Sequence, residues 1–246
     1  MRIFLTLTLV ACAMPIAGRG QQTPAHKPGR AELLVQLRSD DAEVRSGAFD
    51  HLRSDPVALR DSKVKAALVS LLDRENQETL SGEEEDYADY IGWLVGTVAK
   101  IVDWNNPHQV CILANSVYLA DELADHAKVA VPCLLLRFKN APALSRGRVV
   151  AMLVHALAKG RNDLDAATIQ TVQQIILSAL RDPNDAVKIP TVKALGSFGG
   201  EDMIPALRVV AEKDPSPSEG YAIRAWATEA ITAIQKRAAS ATTPQK

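Results

Sequence analysis

The stretch DPNDAVKIPTVKALGSFGGEDMIPALRVVAEK, residues 182–213, decides the fold. It opens on an Asp182-Pro183 turn. Val187-Lys188 then leads into Val192, Ala194 and Leu195, the spacing of a helix with one apolar face. Gly199-Gly200 breaks that helix, and Ile204-Pro205-Ala206-Leu207 opens the next. So short a break makes the two helices antiparallel neighbours.

The same pattern recurs on both sides. Ile223-Arg224 is followed by Thr228, Ala230 and Ile231, Val149-Val150 by Val154, Ala156 and Leu157, and Val44-Arg45 by Ala48, Phe49 and Leu52. A weaker copy begins at Val110-Cys111 and continues through Ala114, Val117 and Tyr118. The starts at 44, 110, 149, 187 and 223 are separated by 66, 39, 38 and 36 residues, and the first interval is close to two repeats. A period in the high thirties marks stacked helical hairpins, none of which buries its apolar face alone. Val131-Pro132-Cys133-Leu134 echoes Ile204-Pro205-Ala206-Leu207, so both open the first helix of a pair, where proline is tolerated.

These features resemble the HEAT-like repeat family, including the short repeats of phycobilisome lyases. The resemblance rests on the Ile-Pro-x-Leu first helix, the Asp-Pro turn and the Val/Ile-Lys/Arg pair that opens an Ala- and Leu-rich second helix. It is sharp over 127–238 and around 31–54, and blurred over 58–121, where the phase slips. It implies an all-α solenoid of stacked antiparallel helix pairs over 30–238, with one set of helices lining a concave side. The periodicity itself predicts helices over roughly 31–38, 42–54, 58–73, 85–102, 108–120, 127–138, 145–160, 165–181, 185–197, 201–212 and 220–238. Residues 239–246 read as a disordered tail.

Composition agrees. The chain of 246 residues is 47% hydrophobic but only 4% aromatic, which favours close-packed Ala/Leu/Val helices over a β-sandwich. With 28 Lys+Arg against 29 Asp+Glu it lacks the basic excess that a nucleic-acid binder needs.

Residues 1–20 read as a secretory signal peptide: Met1-Arg2, an apolar run from Ile3 to Ala17, then Gly18 and Gly20. The run falls short of the ~20 residues of a spanning helix. Without that segment, which holds Arg2 and Arg19, 26 basic groups face 29 acidic ones. Residues 21–29 form a flexible linker. Leu9-Val10-Ala11-Cys12 resembles a bacterial lipoprotein box, so a membrane attachment would run through acylated Cys12.

Cys111 and Cys133 remain, and export places them in an oxidising compartment. With helices 108–120 and 127–138 antiparallel around a turn near 123, each lies about 15–18 Å along its helix at 1.5 Å per residue. A disulfide and two buried thiols serving as small hydrophobes are both open readings.

No GxSxG, HExxH, CxxC, P-loop or GxGxxG motif is present, although Gly196-Ser197-Phe198-Gly199 brushes against the first. His26, His51, His108, His126 and His155 are scattered, with no i,i+4 pair for a metal, and His155 reads as a structural histidine. The recurring cations Arg45, Lys188 and Arg224 read as inter-repeat ties to turn acids such as Asp41 or Asp185, and Trp226 as a core aromatic. Two clusters suit a protein partner. Glu83, Glu84, Glu85 and Asp86 lie at the end of a predicted loop over 74–86, where they also favour the positive end of the next helix. Arg137, Lys139, Arg146 and Arg148 surround the 139–144 turn. The expectation is an exported, periplasmic or extracellular, non-catalytic scaffold that binds another protein, without cofactor, metal or nucleic acid. The rivals are a small-molecule carrier or lyase-like enzyme, and a lipid-anchored structural envelope protein.

Overall fold

A computed structural model describes residues 28–78, 85–116, 121–214 and 220–242. Among them the chain forms twelve α-helices and no strand. They are α1 (Arg30–Gln36), α2 (Ala42–Arg53), α3 (Ser62–Glu78), α4 (Glu85–Ile101), α5 (Pro107–Ala114), α6 (Glu122–Asp125), α7 (Ala127–Asn140), α8 (Ala143–Gly160), α9 (Ala166–Ala179), α10 (Asp185–Phe198), α11 (Ile204–Lys213) and α12 (Gly220–Thr242). Single 3₁₀ turns occupy Ala58–Arg60, Arg161–Asp163 and Glu201–Met203.

The residues that break the apolar period also start the helices. Asp41 accepts from the backbone N–H groups of Glu43 and Val44, Asn106 from His108 and Gln109, Asp165 from Thr168, and Asn184 from Ala186. Each bond satisfies a donor that a helix leaves unpaired at its first turn. Leu52, Leu68, Leu94, Leu113, Leu134, Leu153 and Ile176, from seven of the helices between α2 and α9, are fully buried in one continuous core.

Contacts between alternate helices fall in three runs. α3, α5 and α7 touch in succession; α2 touches α4, α6 touches α8, α8 touches α10, and α10 touches α12. The region 58–121, where the sequence left the phase blurred, holds α3, α4 and α5. Helix α5, which carries the weak copy at Val110, packs with α3 and α7, the latter expected from sequence as the first helix of a pair. The four-residue α6 takes the place beside α8. The predicted helix 108–120 ends at Ala114, and residues 117–120 lie outside the described residues.

Other boundaries differ for local reasons. Asp61 accepts from Lys63 and Val64 and restarts the chain, splitting the predicted helix 58–73 into a 3₁₀ turn and α3. Helix α3 continues to Glu78, so the expected loop 74–86 is shorter than the periodicity suggested. Pro132 lies inside α7, not in its first turn, whereas Pro205 does sit at the start of α11. Helix α12 runs to Thr242, so the expected tail is helical over 239–242, and residues 243–246 are outside the described set. No helix among the described residues is long and apolar enough to cross a membrane.

Candidate functional site: a groove between α8 and α10

Helices α8 and α10 approach closely because Gly147 offers no side chain. A Cβ there would collide with the carbonyl oxygen of Ala186 at the start of α10. Further along the two helices diverge into an open groove of about 530 Å³, lined by Arg148, Met152 and His155 of α8 and by Lys193, Ser197 and Phe198 of α10, with Asp121 at one side.

The groove floor is built by His155, which is buried and stacks on Phe198, their ring centroids 3.9 Å apart and planes 13° from parallel. Phe198 keeps 40% of its surface exposed, so a large aromatic face is held in place by a ring beneath it. The Nδ1 of His155 lies 3.7 Å from Asp121 Oδ1. Burial, aided by the charge of Lys159, lowers the His155 pKa from its ordinary 6.5, against the pull of Asp121 and Asp125. The imidazole is therefore neutral at neutral pH and stacks as an uncharged ring. Lys159 binds Asp125 at 2.8 Å; that hydrogen bond lowers the Asp125 pKa and raises that of Lys159.

No family model matches the chain, and no curated protein matches it.

Chemically the groove offers an aromatic surface between cations. Lys193 Nζ stands 4.3 Å from the ring centroid of half-buried Trp226 on α12, extending the same aromatic and basic pairing to the next helix. Ser197 and His155 share the groove, with no hydrogen bond between them among the described residues. Nor do three His, Cys, Asp or Glu side chains gather as a metal site among those residues.

The structure divides the predicted basic cluster. Arg137 donates to the carbonyls of Ala114 and Ser116 at the end of α5, Arg146 reaches Asp182 at 3.4 Å, Lys139 is exposed, and Arg148 lines the groove. Glu83 and Glu84 lie outside the described residues, as does Cys12; Glu85 and Asp86 begin α4. Cys111 and Cys133 are joined as a disulfide, with Cα atoms 5.0 Å apart. The geometry is not that of two long helices around a turn at 123: α5 ends one turn after Cys111 and packs along the middle of α7.

Two of the three recurring cations, Lys188 and Arg45, are structural ties, one of them with a revised partner. Lys188 Nζ meets Asp185 at 2.9 Å and Asp214 at 3.0 Å. Burial opposes its charge, but the hydrogen bonds to both carboxylates outweigh that, and the net pKa is raised. Arg45, by contrast, pairs with Glu75 of α3 and donates to the carbonyls of Ser39 and Asp40, while Asp41 is taken by capping α2. The His155–Phe198 pair was missed by sequence reasoning. The signal was present, since Phe198 closes an apolar helix beside Gly199, but pairing residues 43 positions apart needs the packing of α8 on α10.

Proposed function

We propose that the chain is a HEAT-like α-solenoid that acts as an exported, non-catalytic scaffold and binds a protein partner along the face made by α8, α10 and α12. The solenoid reading is supported by the runs of contacts between alternate helices and by the spacing of the repeated segments. Export is supported by the Cys111–Cys133 bridge, which belongs to an oxidising compartment. The observation that carries the binding reading is the exposed Phe198 face held rigid on His155, with Lys193 and Arg148 beside it. Preordered aromatic anchors next to basic side chains are the composition of interface hot spots.

The test is a pull-down from the native envelope extract with wild-type protein and with Phe198→Ala and Lys193→Glu variants of unchanged helicity. A stoichiometric protein retained by the wild type and lost from both variants is expected. Equal retention by the variants would move the partner to another face. A co-purifying small molecule in place of a protein would favour the carrier reading.

A further inference from the structure

A second cavity, of about 400 Å³, opens where α3, the end of α5, and the turn between α7 and α8 meet. Asp73, Asn76, Asn115, Arg137, Asn140 and Ser145 contribute its polar lining. Three observations converge on it. Arg137 is partly buried, and among the described residues no carboxylate pairs with it; desolvation and the nearby charge of Arg148 push its pKa down to about 10. One of its nitrogens is committed to the carbonyls of Ala114 and Ser116, which fixes the plane of the guanidinium. Around it stand amides: Asn76, whose Nδ2 donates to Ile112 O at 2.8 Å and whose Oδ1 is enclosed without a donor among the described residues, and, at the open side, the exposed Asn115, which makes no side-chain hydrogen bond there, and Asn140, which donates to Leu136 O at 3.4 Å.

A desolvated guanidinium without a counter-charge is costly, and a carboxylate presented edge-on to its fork removes that cost. Asp73 in the same cavity works against a doubly charged anion such as phosphate and supplies an acceptor for an N–H group of the ligand. The volume suits a small molecule or the end of a chain. We propose that this cavity is a carboxylate-recognition site in which Arg137 holds the carboxylate and Asn115, Asn140 and Asp73 accept or donate to the amide next to it. This site is separate from the α8–α10 groove and does not depend on that groove binding a protein.

The test is a titration of the full chain followed by two-dimensional NMR of the Arg137 Nε–H and asparagine side-chain signals, assigned from Arg137→Lys and Asn140→Ala variants. The probes are N-acetyl-L-alanine, with a chain-end carboxylate; N-acetyl-L-glutamic acid α-amide, with a side-chain carboxylate; N-acetyl-L-alaninamide, with none; and inorganic phosphate. Saturable shifts with a carboxylate probe and none with the neutral amide are expected, and the tighter of the two carboxylates names the source. Arg137→Lys should weaken binding about tenfold, because an ammonium lacks the planar fork. Should that variant lose its fold, Asn140→Ala decides: it leaves the α5 end capped by Arg137, and unchanged affinity in it would overturn the site. Equal shifts with the neutral amide, equal affinity for phosphate, or no saturable shift would overturn it as well.

Discussion

The guanidinium of Arg45 on α2 meets the carboxylate of Glu75 on α3 at 2.8 Å, with both side chains sealed from solvent. Tyr90 of α4 adds its hydroxyl to the same carboxylate at 3.3 Å, so three helices share one charged centre. Removing one partner of such a pair leaves the other charge buried and costs about 3–5 kcal/mol. Arg45→Met is therefore expected to lower the free energy of unfolding by about that amount in denaturant titration. Combining it with Glu75→Met should cost less than the two single changes together, since no lone charge is then left inside.

Gly147 is predicted to tolerate no larger residue. In Gly147→Ala the new methyl group meets the carbonyl oxygen of Ala186, and neither helix backbone yields cheaply. Overpacking of this kind costs about 1–3 kcal/mol. Thermal unfolding monitored by circular dichroism should fall accordingly, whereas Gly92→Ala, where a Cβ meets nothing within 4 Å, should leave it unchanged or raise it.

Intact-mass measurement should find Cys111 and Cys133 refractory to alkylation until a reductant is added, given the bridge between them. The cystine closes a loop of 22 residues in sequence separation. Its loss, by reduction or as Cys111→Ser with Cys133→Ser, is expected to cost about 3 kcal/mol. Alkylation at both positions without reduction would contradict the pairing.

Acid should weaken the fold through His155. Its native pKa lies below 6.5 while in the unfolded chain it titrates near 6.5, so between those values the unfolded state binds a proton that the native state does not. Stability is thus fully present above about pH 6.5 and falls as pH drops through that point toward the lower native value. Denaturant midpoints compared across this window should show a slope that is diminished in His155→Phe, a variant that keeps the stack on Phe198.

The all-helical character was legible in the sequence because it rests on local quantities: a 3.6-residue period and Asp or Asn caps that act within a few residues. The caps Asp165 and Asn184 stand at the predicted helix starts, 165 and 185. The phase over 58–121 was not legible, since α5 carries a faint copy of the second-helix pattern at Val110 yet packs in the series of α3 and α7. Which series a helix joins depends on its neighbours, and the shortness of α6 has no signature in apolar spacing. The groove was readable only in part. Arg148 was singled out as a charge, but His155 read as structural and Phe198 as the end of a helix, and their meeting is a tertiary fact. Arg45 shows the same limit, because its partner Glu75 sits on α3, in the blurred region, while the nearer Asp41 satisfies backbone donors.

The eight-residue helix α5 has a further consequence in mechanical terms. It touches α3 on one side and α7 on the other, in the region where the neighbouring α6 is only a single turn long. Here, between two short helices, the Cys111–Cys133 bond ties α5 to α7. Under a pull on the ends of the chain the bond acts as a covalent rivet, so that α5 and α7 travel together and cannot separate from each other at Cys111 and Cys133 while it is intact.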